Sequence, residues 1–163
     1  MLIETERCHI KLMKRKDKTD LYRLCDDANV WMFLGGQGTA NHNRKRIKFI
    51  GFLPIRNRWT VRHKANNSFL GEISLTPHHD GNDIEISYLF LSEHWGGGYA
   101  SEAVKAVIHH VFCNKKLKRL VAETQSANLT SRKVLEKLGF QKIKTLTRFN
   151  AEQTLYVINN PIV

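Results

Sequence analysis

The sequence predicts a mixed α/β domain, and three observations carry that expectation. Strand-like runs at 58–63, 69–76 and 84–91 follow one another, and Asp80-Gly81-Asn82 between the last two is a turn signal for an antiparallel hairpin. Gly96-Gly97-Gly98 then runs straight into Ala100, Ala103, Val104, Val107, Ile108, Val111 and Phe112, the one-sided stripe of an amphipathic helix. Beyond it, strand and helix patterns alternate to the end of the chain. The expected order is β-α-α-β-β-β-α-β-α-β-β, in a single domain over residues 1–163.

Each element has a local reason. Residues 7–13 read as the first strand. Asp17-Lys18-Thr19 offers N-caps to a helix whose apolar stripe is Leu21, Leu24, Cys25 and Ala28. Gly35-Gly36-Gln37-Gly38 breaks the chain, and a short basic helix is expected around 41–53. After the hairpin and the glycine-led helix, 119–124 reads as a strand. Asn128 can cap a helix carrying Val134, Leu135 and Leu138, which Gly139 would close in a left-handed conformation. Strand-like runs at 142–147 and 154–159 finish the domain.

Charge is segregated along the 163 residues, whose formal net charge is +11. Residues 1–64 hold 15 basic and 6 acidic side chains, 65–104 hold 6 acids and no Lys or Arg, and 105–163 hold 11 basic and 3 acidic ones. An acidic middle between basic flanks suits a site with an anionic ligand on one side and a cationic one on the other. No apolar run approaches the ~20 residues that cross a bilayer. The N-terminus has acids where a secretory signal needs a basic and then an apolar region, so the expected location is cytoplasmic. Cys8, Cys25 and Cys113 form no C-x-x-C pair and read as buried free thiols. His78-His79 and His109-His110 are adjacent pairs that point to different sides of their elements, and no metal is expected.

A strand, a Gly-rich turn and a helix start together make an anion site. The first-turn N–H groups have no intrahelical partner, the helix dipole adds positive charge there, and glycine lets phosphate oxygens come close. The turn is neither a P-loop nor the G-x-G-x-x-G of a βαβ unit, because the strand before it is the second arm of a hairpin.

The run Glu93-His94-Trp95-Gly96-Gly97-Gly98-Tyr99-Ala100-Ser101-Glu102-Ala103 resembles the acetyl-CoA signature of the GNAT acetyltransferases, in particular the RimJ/RimL-type branch that acetylates ribosomal-protein N-termini. Glu4-Thr5-Glu6-Arg7 resembles that branch's opening T-E-R strand, Gly71-Glu72-Ile73 the start of its hairpin, and Glu85-Ile86-Ser87-Tyr88 its E-I-G-Y strand. Asn128-Leu129-Thr130-Ser131, followed by Leu135-Glu136-Lys137-Leu138-Gly139-Phe140, resembles its N-x-x-S…L-E-K-x-G-F helix. Gly97 replaces a Lys or Arg often found between the family's glycines, which removes one cation from the pyrophosphate side. Residues 30–65 carry none of these motifs.

The resemblance implies a central mixed, mostly antiparallel sheet flanked by helices, and one-step acetyl transfer from acetyl-CoA to a primary amine. It implies an oxyanion donor in the main-chain N–H of Phe90 or Leu91. It implies donor binding by Trp95, Gly96, Gly97, Gly98, Tyr99 and Ala100, with Asn128 on the pantetheine arm and Ser131 at the departing thiolate. Glu85 is the first candidate for a water-mediated base and Glu72 the second. The expected acceptor is a protein or peptide N-terminal α-amine, with small amines (polyamines or antibiotics) as the alternative. A catalytically silent acyl-CoA-binding regulatory module would lack these polar residues, and all are present. A pure RNA- or ribosome-binding protein would interleave aromatic and basic residues on its strands, a pattern absent here. Basic flanks could still dock an enzyme, as monomer or homodimer, on a ribosome.

Overall fold

The computed structural model describes residues 2–34, 57–115 and 117–161; the expected chain break at 35–38 and the basic helix around 41–53 lie outside them. The strands are β1 (Leu2–Glu4), β2 (Cys8–Leu12), β3 (Arg58–His63), β4 (Phe69–Pro77), β5 (Ile84–Phe90), β6 (Arg119–Gln125), β7 (Gln141–Arg148) and β8 (Ala151–Asn159). The helices are α1 (Lys18–Asp26), α2 (Ala28–Trp31), α3 (Tyr99–Lys115) and α4 (Leu129–Lys137). The strands form one sheet in the order β1-β2-β3-β4-β5-β6-β8-β7, antiparallel everywhere except between β5 and β6.

Most elements lie where local patterns put them. The hairpin turn carries Gly81 at φ +78°, and Gly139 closes α4 at φ +91°. Asn128 caps α4 through its Oδ1, which accepts from Ser131 N at 3.0 Å. Four details differ. The strand expected at 7–13 is β2, and an additional three-residue β1 precedes it: Thr5 N donates to Cys8 O at 3.0 Å and folds β1 back onto β2. A strand of three residues is too short to carry a period. Ala28 does not continue α1: extended backbone at Asp27 (ψ 103°) breaks the helix, and its carboxylate caps α2 at Asn29 N, 3.1 Å away. Asp17 sits at the N-cap of α1, but its carboxylate accepts from Lys14 N at 2.8 Å instead of capping that helix. Cys8 and Cys25 are buried as expected, whereas Cys113 is exposed, one residue past the buried stripe of α3.

Alternate residues of the sheet supply two apolar cores. Trp59, Val61, Ile73, Ile86 and Phe90 turn to α3, where Val104, Val107 and Val111 meet them. Phe69, Leu89 and Leu91 pack with Leu21 and Leu24 of α1 and Trp31 of α2. The sheet is thus sandwiched near its centre, and the central strands are held from both sides.

Two irregularities shape that centre. β5 and β6 share one register pair, Glu85↔Val121, and then part, while β5 stays paired with β4 as far as Gly71↔Phe90. In β4 the register against β3 slips by one residue at Leu70, a bulge that brings Gly71 onto β5. A Cβ at Gly71 would lie 2.3 Å from Leu89 O and 2.8 Å from the Phe90 ring, so only glycine fits. Gly71→Ala should therefore destabilise the fold by about 3 kcal/mol, the upper part of the usual range for overpacking. The midpoint of urea unfolding measures it, and an unchanged midpoint would mean that β5 is free to move away.

Candidate active site

The Gly-rich turn meets the physical requirements of an anion site. Gly96 and Gly98 both stand at φ +78°, where a side chain is strained and glycine is not. The first main-chain bond into α3 is Glu102 N–H to Gly98 O at 3.1 Å. Among the described residues, the amides of Gly96 through Ser101 donate to no main-chain carbonyl. They are left for a ligand at the positive end of a 17-residue helix.

The turn is clamped from the N-terminus of the chain. Glu102 of α3 accepts from Thr5 Oγ1 (2.5 Å), Arg7 N (2.8 Å) and Arg7 Nε (2.7 Å). Burial pushes the Glu102 carboxyl up, but these bonds and the Arg7 charge outweigh it and hold it below its ordinary value. Arg7 Nη1 donates to Gly97 O at 2.9 Å, and its guanidinium lies 4.4 Å from the centre of the Tyr99 ring. A cation therefore stands at the turn although Gly97 itself carries none. The T-E-R and x-E-A motifs were both visible in the sequence; that they bind each other was not.

A cavity of about 330 Å³ opens where β5 and β6 part, reaching from the start of α3 through the gap to the opposite face of the sheet. Ala100, Trp95, Phe90, Asn128 and Ser131 line one end; Glu85, Ser87, Glu123, His79 and Phe149 line the other. The β4–β5 register settles where the strand amides point. Leu91 N donates to Leu70 O at 3.0 Å, so the Leu91 amide is occupied. Backbone groups alternate in direction along a strand, so the Tyr88 and Phe90 amides face away from β4, toward the gap. Of the two amides expected as oxyanion donors, that of Phe90 faces the gap and that of Leu91 faces β4. Trp95 fixes this peptide further: its indole Nε1 donates to Phe90 O at 2.8 Å.

Tyr88, part of a quoted motif but assigned no role from sequence, is a neighbour of Ser131. The Tyr88 hydroxyl and Ser131 Oγ are 3.0 Å apart, and the same hydroxyl donates to Ser131 O at 3.2 Å. Burial pushes the Tyr88 phenol up to about 12, so it stays protonated near neutrality. Asn128 lines the cavity as well as capping α4.

The two candidate carboxylates separate. Glu85 lines the cavity, and its Oε1 accepts from Ser87 Oγ at 3.2 Å. Burial raises its pKa; His78 opposes this and Glu123 adds to it. Glu72 is buried outside the cavity lining, with Arg58 Nε 3.2 Å from its Oε2. Burial raises its pKa too, against the Arg58 charge. Glu72 thus faces an arginine and Glu85 faces open space. Among the described residues no group of three or more His, Cys, Asp or Glu is disposed to hold a metal ion, and no helix is long and apolar enough to cross a membrane.

Comparisons with known proteins agree with this geometry. A family model described as an acetyltransferase (GNAT) domain matches residues 7–141. The chain is similar to YoaA, an uncharacterized N-acetyltransferase of Bacillus subtilis (strain 168), with 32% identity over 156 residues that cover 91% of this chain and 87% of that protein. Among solved structures, a GNAT-family acetyltransferase from Bacillus anthracis superposes with a TM-score of 0.80 at 25% identity, over 98% of this chain and 99% of that one. A ribosomal-protein-S5-alanine acetyltransferase from Vibrio fischeri gives 0.78 at 19% identity, over 99% and 97%, a likeness of fold alone.

Proposed function

The chain belongs to the GNAT acetyltransferase family and is an acetyl-CoA-dependent N-acetyltransferase; from that premise we propose that its acceptor is the α-amine of a protein or peptide N-terminus. The carrying observation is the cavity through the β5–β6 gap, with hydroxyls at one end and an uncompensated carboxylate at the other. Acetyl-CoA supplies an activated thioester. The Gly96–Ala100 amides and Arg7 suit its pyrophosphate, and the Phe90 amide suits the charge that develops on the carbonyl oxygen. At the far end Glu85 takes one proton from the incoming ammonium group, directly or through water. The freed nitrogen bonds to the carbonyl carbon as the C–S bond breaks. Ser131, backed by Tyr88, hydrogen-bonds or protonates the departing sulfur. The products are an amide, a thiol and one proton for solvent.

Magnitudes favour an α-amine. Deprotonating one with pKa near 7.7 at pH 7 costs about 1 kcal/mol, against about 4.6 kcal/mol for a lysine near 10.4. A carboxylate base whose pKa burial raises suits the easier task. The chain is read as one cytoplasmic domain, and its basic flanks suit contact with a ribosome. A screen that follows thiol release with amino-terminal peptides, polyamines and aminoglycosides should rank the peptides first by kcat/KM. A polyamine or aminoglycoside at the top would transfer the proposal to small amines.

The donor reading has its own test. Ligand at a hundredfold excess over Kd stabilises by about 2.7 kcal/mol, so acetyl-CoA should raise Tm, and ATP and NAD far less. Gly98→Val puts a branched side chain at φ +78° against the amide face and should abolish the acetyl-CoA shift. The strain itself costs about 1–2 kcal/mol, so the readout is the ligand-induced shift, not Tm alone. An undiminished shift in Gly98→Val would remove the pyrophosphate from this turn.

A further inference from the structure

We propose that Glu123 is a second working carboxylate of the reaction, a fixed anion that receives the acceptor's ammonium group while Glu85 takes its proton. The assignment rests on the acetyl-transfer reading of the cavity. Glu123 follows Val121 by two residues on β6, and Val121 pairs with Glu85, so both carboxylates stand on one face of the sheet at the same end of the cavity.

Their surroundings differ. Glu123 Oε2 lies 3.0 Å from His78 Nε2, and its Oε1 lies 3.4 Å from Arg148 Nε. The His78 side chain is 2% exposed, with its other ring nitrogen 3.0 Å from Asp80 Oδ1. An imidazole between two carboxylate oxygens satisfies both as the cation. Burial pulls the His78 pKa down, and the bonds to Asp80 and Glu123 outweigh it, so the net shift is upward. Glu123 therefore has cations from two elements, the end of β4 and the end of β7. Glu85 has the Ser87 hydroxyl and, among the described residues, no cation within bonding distance. His78, His79 and Glu123 act on it only through space.

The two carboxylates differ in their partners and so take different roles. Glu123 is held between two cations, and each of its oxygens keeps a lone pair beyond the one given to His78 or Arg148. Glu85, desolvated and beside that fixed charge, is the one that changes protonation. His78 is a positioning residue: it holds Glu123 and touches nothing that reacts.

The test combines acceptor kinetics at saturating acetyl-CoA with a carbon-detected NMR titration of the Glu85 carboxyl in the free enzyme. Glu123→Gln should raise KM for the amine about ten- to a hundredfold, the value of a charge-assisted hydrogen bond, with a much smaller change in kcat. Removing that negative neighbour should move the Glu85 titration to lower pH. His78→Gln removes a positive neighbour and should move it to higher pH. The opposite signs test the charges that surround Glu85, and the amine KM tests whether Glu123 receives the acceptor. Unchanged amine KM in a folded Glu123→Gln, or Glu85 shifts of the same sign or none, overturns the proposal. Should Glu123→Gln fail to fold, Glu123→Asp keeps the charge but withdraws it, and an unchanged amine KM there overturns the proposal equally. If the wild type releases no thiol with any amine, the transfer reading fails and takes this assignment with it. Normal turnover with an indifferent Glu123 sinks this assignment alone.

Discussion

Glu85→Gln should lower kcat/KM for the amine by about 10²–10⁴-fold, the range for a positioned base, and leave acetyl-CoA binding nearly intact. The substitution keeps the shape of a side chain in the cavity and removes its charge and basicity. Its pH dependence has a definite sign. Burial lifts the Glu85 carboxyl above its ordinary value of 4.5, and only its ionised form accepts a proton. Wild-type activity should therefore fall as pH drops through that raised value. Glu85→Gln should lose this limb and shift its optimum to higher pH, where solvent deprotonates the amine instead. Glu72→Gln should leave acceptor kinetics alone and disturb stability, because Glu72 faces Arg58 outside the cavity. If the profile appears in Glu72→Gln and not in Glu85→Gln, the base is misassigned. If it appears in neither, water alone takes the proton.

Ser131→Ala should reduce kcat by a large part of the same range, and far more than it raises KM for acetyl-CoA. The Ser131 hydroxyl and the Tyr88 hydroxyl are 3.0 Å apart, and Tyr88 remains a protonated donor throughout the neutral range. Two hydroxyls acting as a unit are non-additive, so Tyr88→Phe should share the defect and the double variant should be little worse than either. Single-turnover rates at saturating donor measure this without product release. Unchanged rates in Ser131→Ala would leave Ser131 only its first-turn place beside the Asn128 cap.

What the sequence made legible was local. The glycine turn, the Asp80–Asn82 hairpin, the Asn128 cap and the Gly139 stop each depend on a few adjacent residues, and each formed. What it concealed depends on register between strands. Glu72 and Glu85 both stood on hairpin strands in quoted motifs; the cavity takes one and Arg58 the other. Phe90 and Leu91 differ only in which neighbour their amides face, and the Leu91–Leu70 bond decides it. His78 read as half of an uninformative pair, yet the fold carries it to Glu123, 45 residues away. The acidic middle of the chain was legible as a charge block, but its neutralisation was not. Arg58, Arg119 and Arg7 from the flanks reach Glu72, Asp83 and Glu102, and among the described residues Glu85 is left without such a partner. The gap between β5 and β6 left no residue pattern of its own, because a missing pairing leaves none; only the family resemblance, through its main-chain oxyanion donor at Phe90 or Leu91, implied it.

The most direct test of acetyl transfer to an α-amine uses a short peptide with both a free N-terminus and one lysine. It is incubated with enzyme and acetyl-CoA, and fragment mass spectrometry locates the product while thiol release is counted. The expected result is one acetyl group on the α-amine for each thiol released, with unmodified lysine. Acetyl on the lysine side chain, or acetyl-CoA bound with neither product formed, would contradict it.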